Sequence, residues 1–139
     1  MILMIDEEKW RSNSVIDYLK KSHGYNVVLI DDIDDAIDYI GENRWQIEAF
    51  ILDLMMPFGN SFSSEETEGG TLTGYRLFDK IRNEWKIPVP IIVYTALNKV
   101  ELFNSLKKEA RTAVLRKGSD SAYNIASMLR GFGIIPEPK

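Results

Sequence analysis

The 139-residue chain contains no cysteine. This absence excludes disulfides, thiolate zinc sites and cysteine nucleophiles, and it fits a reducing, cytoplasmic location. The chain also has no long hydrophobic run: Val27–Ile30 and Pro88–Tyr94 are far too short to cross a bilayer. The apolar start, Ile2–Ile5, lacks the basic residues and the length of a signal peptide, so we expect it to be a buried strand.

Positive charge is not in excess either, since 17 Lys and Arg face 21 Asp and Glu, for a net charge of -4. A nucleic-acid partner would call for a clustered basic face, and binding to a membrane surface would also need basic charge. We therefore expect neither partner. Hydrophobic residues make up 45% and charged residues 27% of the chain, which is typical of one soluble globular domain. We assign this domain to residues 1–131 and expect residues 132–139 to form a flexible tail.

Five short apolar runs alternate with segments of helical periodicity. In one such segment Ile33, Ala36, Ile37 and Ile40 recur at the spacing of an amphipathic helix. The predicted strands are Ile2–Ile5, Val27–Ile30, Ala49–Leu54, Ile91–Tyr94 and Ala113–Leu115. Continuous apolar strands separated by helices indicate a parallel sheet that is buried on both faces. We predict an α/β fold: a doubly wound, flavodoxin-like three-layer sandwich with strand order 2-1-3-4-5.

Polar side chains follow the predicted strands. Asp6 and Glu7 follow the first strand and Asp53 comes late in the third, while Thr95 and Lys117 follow the fourth and fifth. Because the carboxyl ends of parallel strands meet at one edge of a sheet, these side chains should converge there. Each alone has a plain structural explanation, such as a helix cap or a surface lysine. Together they indicate a site.

The chemistry of this group favours phosphoryl transfer. Clustered carboxylates repel one another unless a cation is supplied, and Mg²⁺ (or Mn²⁺) prefers oxygen ligands. Asp53 could then act as a nucleophile and form an acyl phosphate. Lys117 and the metal would neutralise charge on the transferring group, and Thr95 would offer a hydroxyl.

Four segments of the chain resemble the signature segments of response-regulator receiver domains, in the right order. They are Ile2–Glu8, Ile51–Pro57, Ile91–Ala96 and Leu115–Gly118. The resemblance covers nearly the whole chain and implies that Asp53 is the phosphoacceptor. It also implies that Asp6, Glu7 and the Met55 carbonyl bind Mg²⁺ with Asp53, and that Thr95 and Lys117 contact the phosphoryl group. The implied partners are a sensor histidine kinase or histidine phosphotransfer protein as donor and a downstream protein effector.

Three features depart from the family's pattern. Gly118 replaces the proline of a cis peptide bond, so we expect a trans bond or a rearranged turn after Lys117. Val114 stands where the family has a switch aromatic, and Tyr94 should point to the opposite face of the sheet from Thr95. Residues 58–73 are inserted between Pro57 and Gly74. This insertion is interpreted either as a flexible loop or as a lid over the site.

Two other functions remain open at this stage. Val114 and Gly118 would suit a receiver-like interaction module that works without phosphorylation. The alternative is a Mg²⁺-dependent phosphatase with an aspartyl intermediate, but such an enzyme generally needs a second acid two residues after its nucleophile, where Met55 stands. We therefore predict a regulatory phosphoacceptor domain rather than an enzyme.

Overall fold

The computed structural model describes residues 1–136 as five parallel strands and five α-helices in alternation. The strands are β1 (Ile2–Ile5), β2 (Val27–Ile30), β3 (Ala49–Leu52), β4 (Ile91–Thr95) and β5 (Thr112–Arg116). The helices are α1 (Lys9–His23), α2 (Ile33–Asn43), α3 (Thr73–Asp79), α4 (Val100–Lys107) and α5 (Ala122–Gly131). A 3₁₀ turn (Arg44–Gln46) follows α2, and a π-helical segment (Lys80–Glu84) follows α3.

The sheet has the order β2-β1-β3-β4-β5, and every pairing is parallel, as predicted. Residues of β1, β3 and β4 are buried on both faces because helices cover the sheet on either side. Side chains alternate along each strand: Leu3 and Ile5 face α2, α3 and α4, whereas Ile2 and Met4 face α1 and α5. The three-layer α/β sandwich is therefore confirmed.

The helices form where the apolar periodicity predicts them. On α2, Ile33, Ala36 and Ile40 are buried, and Asp32 caps the helix by accepting the Asp35 N–H at 2.9 Å. None of the helices within residues 1–136 is long and apolar enough to cross a membrane.

The start of the predicted tail packs against the domain instead of fraying. The Tyr25 hydroxyl donates a hydrogen bond to the Ile134 carbonyl at 2.9 Å, and Phe132 and Ile134 pack on the core beside α1 and α5. Partial burial of these two apolar side chains accounts for the difference from the sequence expectation. Residues 137–139 of that tail lie outside the described residues.

Candidate functional site

Polar residues from four parts of the sheet converge at its carboxyl edge. The backbone continues each strand ladder for one residue: Asp53 N–H donates to the Ile5 carbonyl at 3.0 Å, and Lys117 N–H donates to the Thr95 carbonyl at 2.9 Å. Asp6, which follows β1, donates its N–H to the Ile30 carbonyl at 3.2 Å. The fold therefore fixes the positions from which these side chains project.

A buried ammonium group joins the two aspartates. Lys117 Nζ lies 2.7 Å from Asp6 Oδ2 and 2.9 Å from Asp53 Oδ2, and none of the three side chains is more than 2% exposed. The second oxygen of each aspartate accepts a backbone N–H, from Glu8 at 2.9 Å for Asp6 and from Met55 at 3.2 Å for Asp53. Both carboxylates are thus held in fixed orientations.

Electrostatics at this edge reflect burial and crowding of acids. Burial raises the pKa of Asp6, and the negative charge of Asp53 adds to the rise while Lys117 opposes it. Burial and the charge of Asp53 also raise the pKa of Glu7. For Lys117, burial acts to lower the pKa, but hydrogen bonds and charge from Asp6 and Asp53 outweigh it, so the pKa is raised. Lys117 is therefore positively charged, and its charge stabilises the carboxylates of Asp6 and Asp53.

The remaining predicted site residues lie around this buried ion-pair group. Thr95 is fully buried, and its hydroxyl oxygen accepts the Leu97 N–H at 3.2 Å. Glu7 is exposed and lines a cavity of about 610 Å³ together with Met55. Glu8, which sequence reasoning did not select, approaches Lys117 Nζ at 3.6 Å. Its place in the acidic run after β1 was the available signal.

The arrangement of the acidic side chains differs from that of the metal centre predicted from the sequence. Within residues 1–136, no group of three or more His, Cys, Asp or Glu side chains is arranged to hold a metal ion. The Lys117 ammonium lies between Asp6 and Asp53 and supplies one positive charge where the sequence predicts a dication. The available donors nevertheless suit Mg²⁺, because carboxylates and a main-chain carbonyl are the hard oxygen ligands that this ion prefers.

The inserted segment 58–73 is folded against the domain. Asp34 of α2 accepts hydrogen bonds from the N–H groups of Asn60 and Ser61 and from the Ser61 hydroxyl. These bonds lower the pKa of Asp34, the Ser61 hydroxyl contributing most. Phe62 and Thr67 are buried. The segment therefore makes defined contacts with the domain, and its flexibility stays a prediction.

The insertion also forms one wall of the cavity beside Glu7. Phe58 and residues 69–71 line that wall, facing Glu7 and Met55. The Thr73 hydroxyl donates to the Met56 carbonyl at 2.6 Å, which ties the end of the insertion to its beginning. The insertion therefore borders the cavity beside Glu7, and its role as a lid stays a prediction.

The turn after Lys117 differs from the family pattern as predicted. No peptide bond within the described residues is cis, and Gly118 has a φ of 92°. Val114 is half-buried and packs towards α2–α4. Tyr94 lies on the other face, with α1 and α5, so it does not replace the missing switch aromatic.

Comparison with solved structures identifies the fold. The chain resembles the receiver domain of a Francisella response regulator, with a TM-score of 0.72, 21% identity, and 94% and 93% of the two chains covered. The fold is that of a response-regulator receiver domain. The signal receiver domain of a protein assigned as a Luxo repressor, from Vibrio parahaemolyticus, is 25% identical, with a TM-score of 0.66 over 96% and 92% of the chains.

A third receiver domain, that of NtrX from Brucella abortus, has a TM-score of 0.70 at 19% identity and covers 96% of this chain and 98% of its own. No family model and no curated protein matches the sequence. Recognition of the receiver fold therefore depends on topology and on the short segments at the strand ends.

Proposed function

We propose that the chain is a two-component receiver that accepts a phosphoryl group on Asp53. The donor would be a phosphohistidine of a sensor histidine kinase or a histidine phosphotransfer protein, and a separate protein effector would receive the signal. The observation that carries this proposal is the buried ammonium of Lys117, 2.7 and 2.9 Å from two aspartates at the carboxyl edge of a receiver fold.

The chemistry requires a carboxylate nucleophile with its charge compensated. One Asp53 oxygen attacks phosphorus, the P–N bond to the donor imidazole breaks, and the nitrogen keeps the electron pair. The Met55 N–H orients Asp53 through a 3.2 Å hydrogen bond. Lys117 neutralises charge on the transferred group, and the Thr95 hydroxyl donates to one of its oxygens.

A divalent cation belongs to the same proposal. Mg²⁺ or Mn²⁺ would be held by the carboxylates of Asp6, Glu7 and Asp53 and by the Met55 carbonyl. When bound, it would supply positive charge to the phosphoryl oxygens. Lys117 would keep its role of neutralising negative charge at Asp53 and on the transferred group.

One observation favours the alternative of an interaction module that works without phosphorylation. Lys117 already contacts both buried aspartates, so part of their negative charge is compensated without metal or phosphate. Under this alternative the acidic rim is a structural ion-pair group. Val114, which stands where receiver domains have a switch aromatic, also favours this alternative.

Incubation with Mg²⁺ and acetyl phosphate, followed by intact-mass measurement, separates these functions. The proposal predicts one added phosphoryl group in the wild type and none in Asp53→Asn. Absence of labelling with acetyl phosphate and with phosphoramidate would favour the unphosphorylated module. Multiple-turnover release of phosphate from other monoesters would indicate a phosphatase instead.

A further inference from the structure

The segment that carries Lys117 has little intrinsic stiffness. Gly118 follows the lysine at a φ of 92°, and a Cβ built there would meet nothing within 4 Å. Glycine in open space leaves the backbone free to adopt other conformations. Yet the Lys117 side chain is fully buried on two carboxylates. The hydrogen bond from the Lys117 N–H to the Thr95 carbonyl holds the start of this turn, so further restraint must come from residues after Gly118.

Asp120 makes the contacts that close the turn. Its Oδ2 accepts the Arg116 N–H at 2.8 Å, and its own N–H donates to the Arg116 carbonyl at 2.8 Å. Asp120 also forms a parallel β-bridge with Lys117. All of these contacts are made with Arg116 or Lys117. Asp120 therefore fixes the backbone direction at the end of β5, from which the Lys117 side chain projects.

Tyr94 connects the same turn to the sheet beneath it. Its hydroxyl donates to the Asp120 carbonyl at 3.4 Å, which is a long hydrogen bond. The Tyr94 ring is buried, and Lys117 Nζ lies 5.8 Å from its centroid, within the range of a cation–π contact. The Tyr94 side chain therefore contacts both the turn that contains Asp120 and the Lys117 ammonium.

We propose that Asp120 is a positioning residue for Lys117, holding its ammonium at Asp53, with Tyr94 as a secondary support. This inference rests on the proposed function where it concerns phosphorylation. Without the Asp120 carboxylate the Arg116 N–H loses its partner, and the glycine-containing turn samples other conformations. The ammonium then spends less time at the site where charge develops during transfer.

The test compares Asp120→Ala, Asp120→Asn and Lys117→Met in the full chain. With Mg²⁺ and acetyl phosphate, Asp120→Ala should label about tenfold more slowly than the wild type, since misplacing a catalytic group costs one to two orders of magnitude. Asp120→Asn keeps an acceptor oxygen and should recover most of the rate. In the double variant of Asp120→Ala and Lys117→Met, labelling should be no slower than in Lys117→Met alone, because both changes remove the same contribution.

Asp32→Ala is the matched control. Asp32 also accepts a backbone N–H at 2.9 Å, but its contact lies in the first turn of α2 and does not involve Lys117. It should lower stability by a similar amount and leave the labelling rate unchanged. Should Asp120→Ala fail to fold, Tyr94→Phe removes only the secondary hydrogen bond and should slow labelling about twofold.

A second readout does not depend on phosphorylation. The Nζ protons of a buried, hydrogen-bonded lysine exchange slowly with water, so their ¹⁵N-correlated NMR signal is observable. We expect a Lys117 Nζ signal in the wild type and in Asp120→Asn, and none in Asp120→Ala. If the wild type fails to label yet this pattern holds, the proposed function fails while the positioning role stands. If Lys117→Met slows labelling and Asp120→Ala changes neither the rate nor the resonance, the positioning role is refuted.

Discussion

Gly74 lets the start of α3 approach the backbone of the phosphoacceptor. A Cβ built on Gly74 would stand 1.9 Å from the Asp53 carbonyl oxygen and 2.7 Å from Leu54 Cα. The Gly74 N–H also donates to the Leu54 carbonyl at 2.9 Å. Since real Cβ atoms essentially never come within 3.0 Å of such neighbours, Gly74→Ala requires a relative shift of at least 1.1 Å between α3 and Asp53.

The shift has two calculable consequences. The clash involves backbone atoms, which cannot rotate away, so we expect an overpacking cost of about 1–3 kcal/mol in the free energy of unfolding. A displacement of about 1 Å at a catalytic group costs on the order of 100-fold in rate, so labelling of Asp53 by acetyl phosphate should slow by that amount. Urea unfolding measures the first effect, and intact mass against time measures the second.

Gly41→Ala provides the matched control. Gly41 lies in α2, and a Cβ added there would meet nothing within 4 Å. Alanine at this position should stabilise the domain by about 0.5–1 kcal/mol through helix propensity and leave the labelling rate unchanged. A Gly74→Ala variant with wild-type stability and rate would refute the close approach of α3 to Asp53.

Two further predictions concern charge. Lys117→Met should lower the free energy of unfolding by about 3–5 kcal/mol at pH 7, because Asp6 and Asp53 lose their buried cation; urea titrations should show the deficit shrink in acid, where Asp6 is protonated. Asp34→Ala should speed amide hydrogen exchange at Asn60–Ser61. In the wild type, the ionised Asp34 carboxylate adds to the free energy of unfolding at any pH above its ordinary pKa of 3.8. This stabilisation is lost as the pH falls through the lowered pKa of Asp34 in the folded state.

Much of the fold followed from periodicity and from the residues at strand ends. Because the apolar runs are continuous and not alternating, they predicted strands that are buried on both faces, as the structure shows. The side chains of Asp6, Asp53 and Lys117 also meet at one edge of the sheet, as predicted. Local pattern was sufficient here because four of the five strands place a polar residue at or just after their carboxyl end, on the same rim.

Other features depend on contacts between distant segments, which a single sequence does not reveal. The anchoring of the insertion joins Asp34 to Ser61, and nothing in the local pattern of either segment marks the pair. The sequence predicted a cation among the acids but not that Lys117 would fill the space between Asp6 and Asp53. Likewise, the contact of Asp120 with the Arg116 N–H depends on the geometry of the turn after β5, which the local sequence pattern does not specify.

Phosphorylation of Asp53 is the step on which the proposed receiver function depends. The most direct measurement is peptide mass spectrometry of the wild-type chain after incubation with Mg²⁺ and acetyl phosphate, with an EDTA-treated sample beside it. We expect one phosphoryl group on the peptide that contains Asp53, and none when EDTA removes the metal. Labelling at Asp6 or Glu7, labelling that persists in EDTA, or no labelling at all would contradict it.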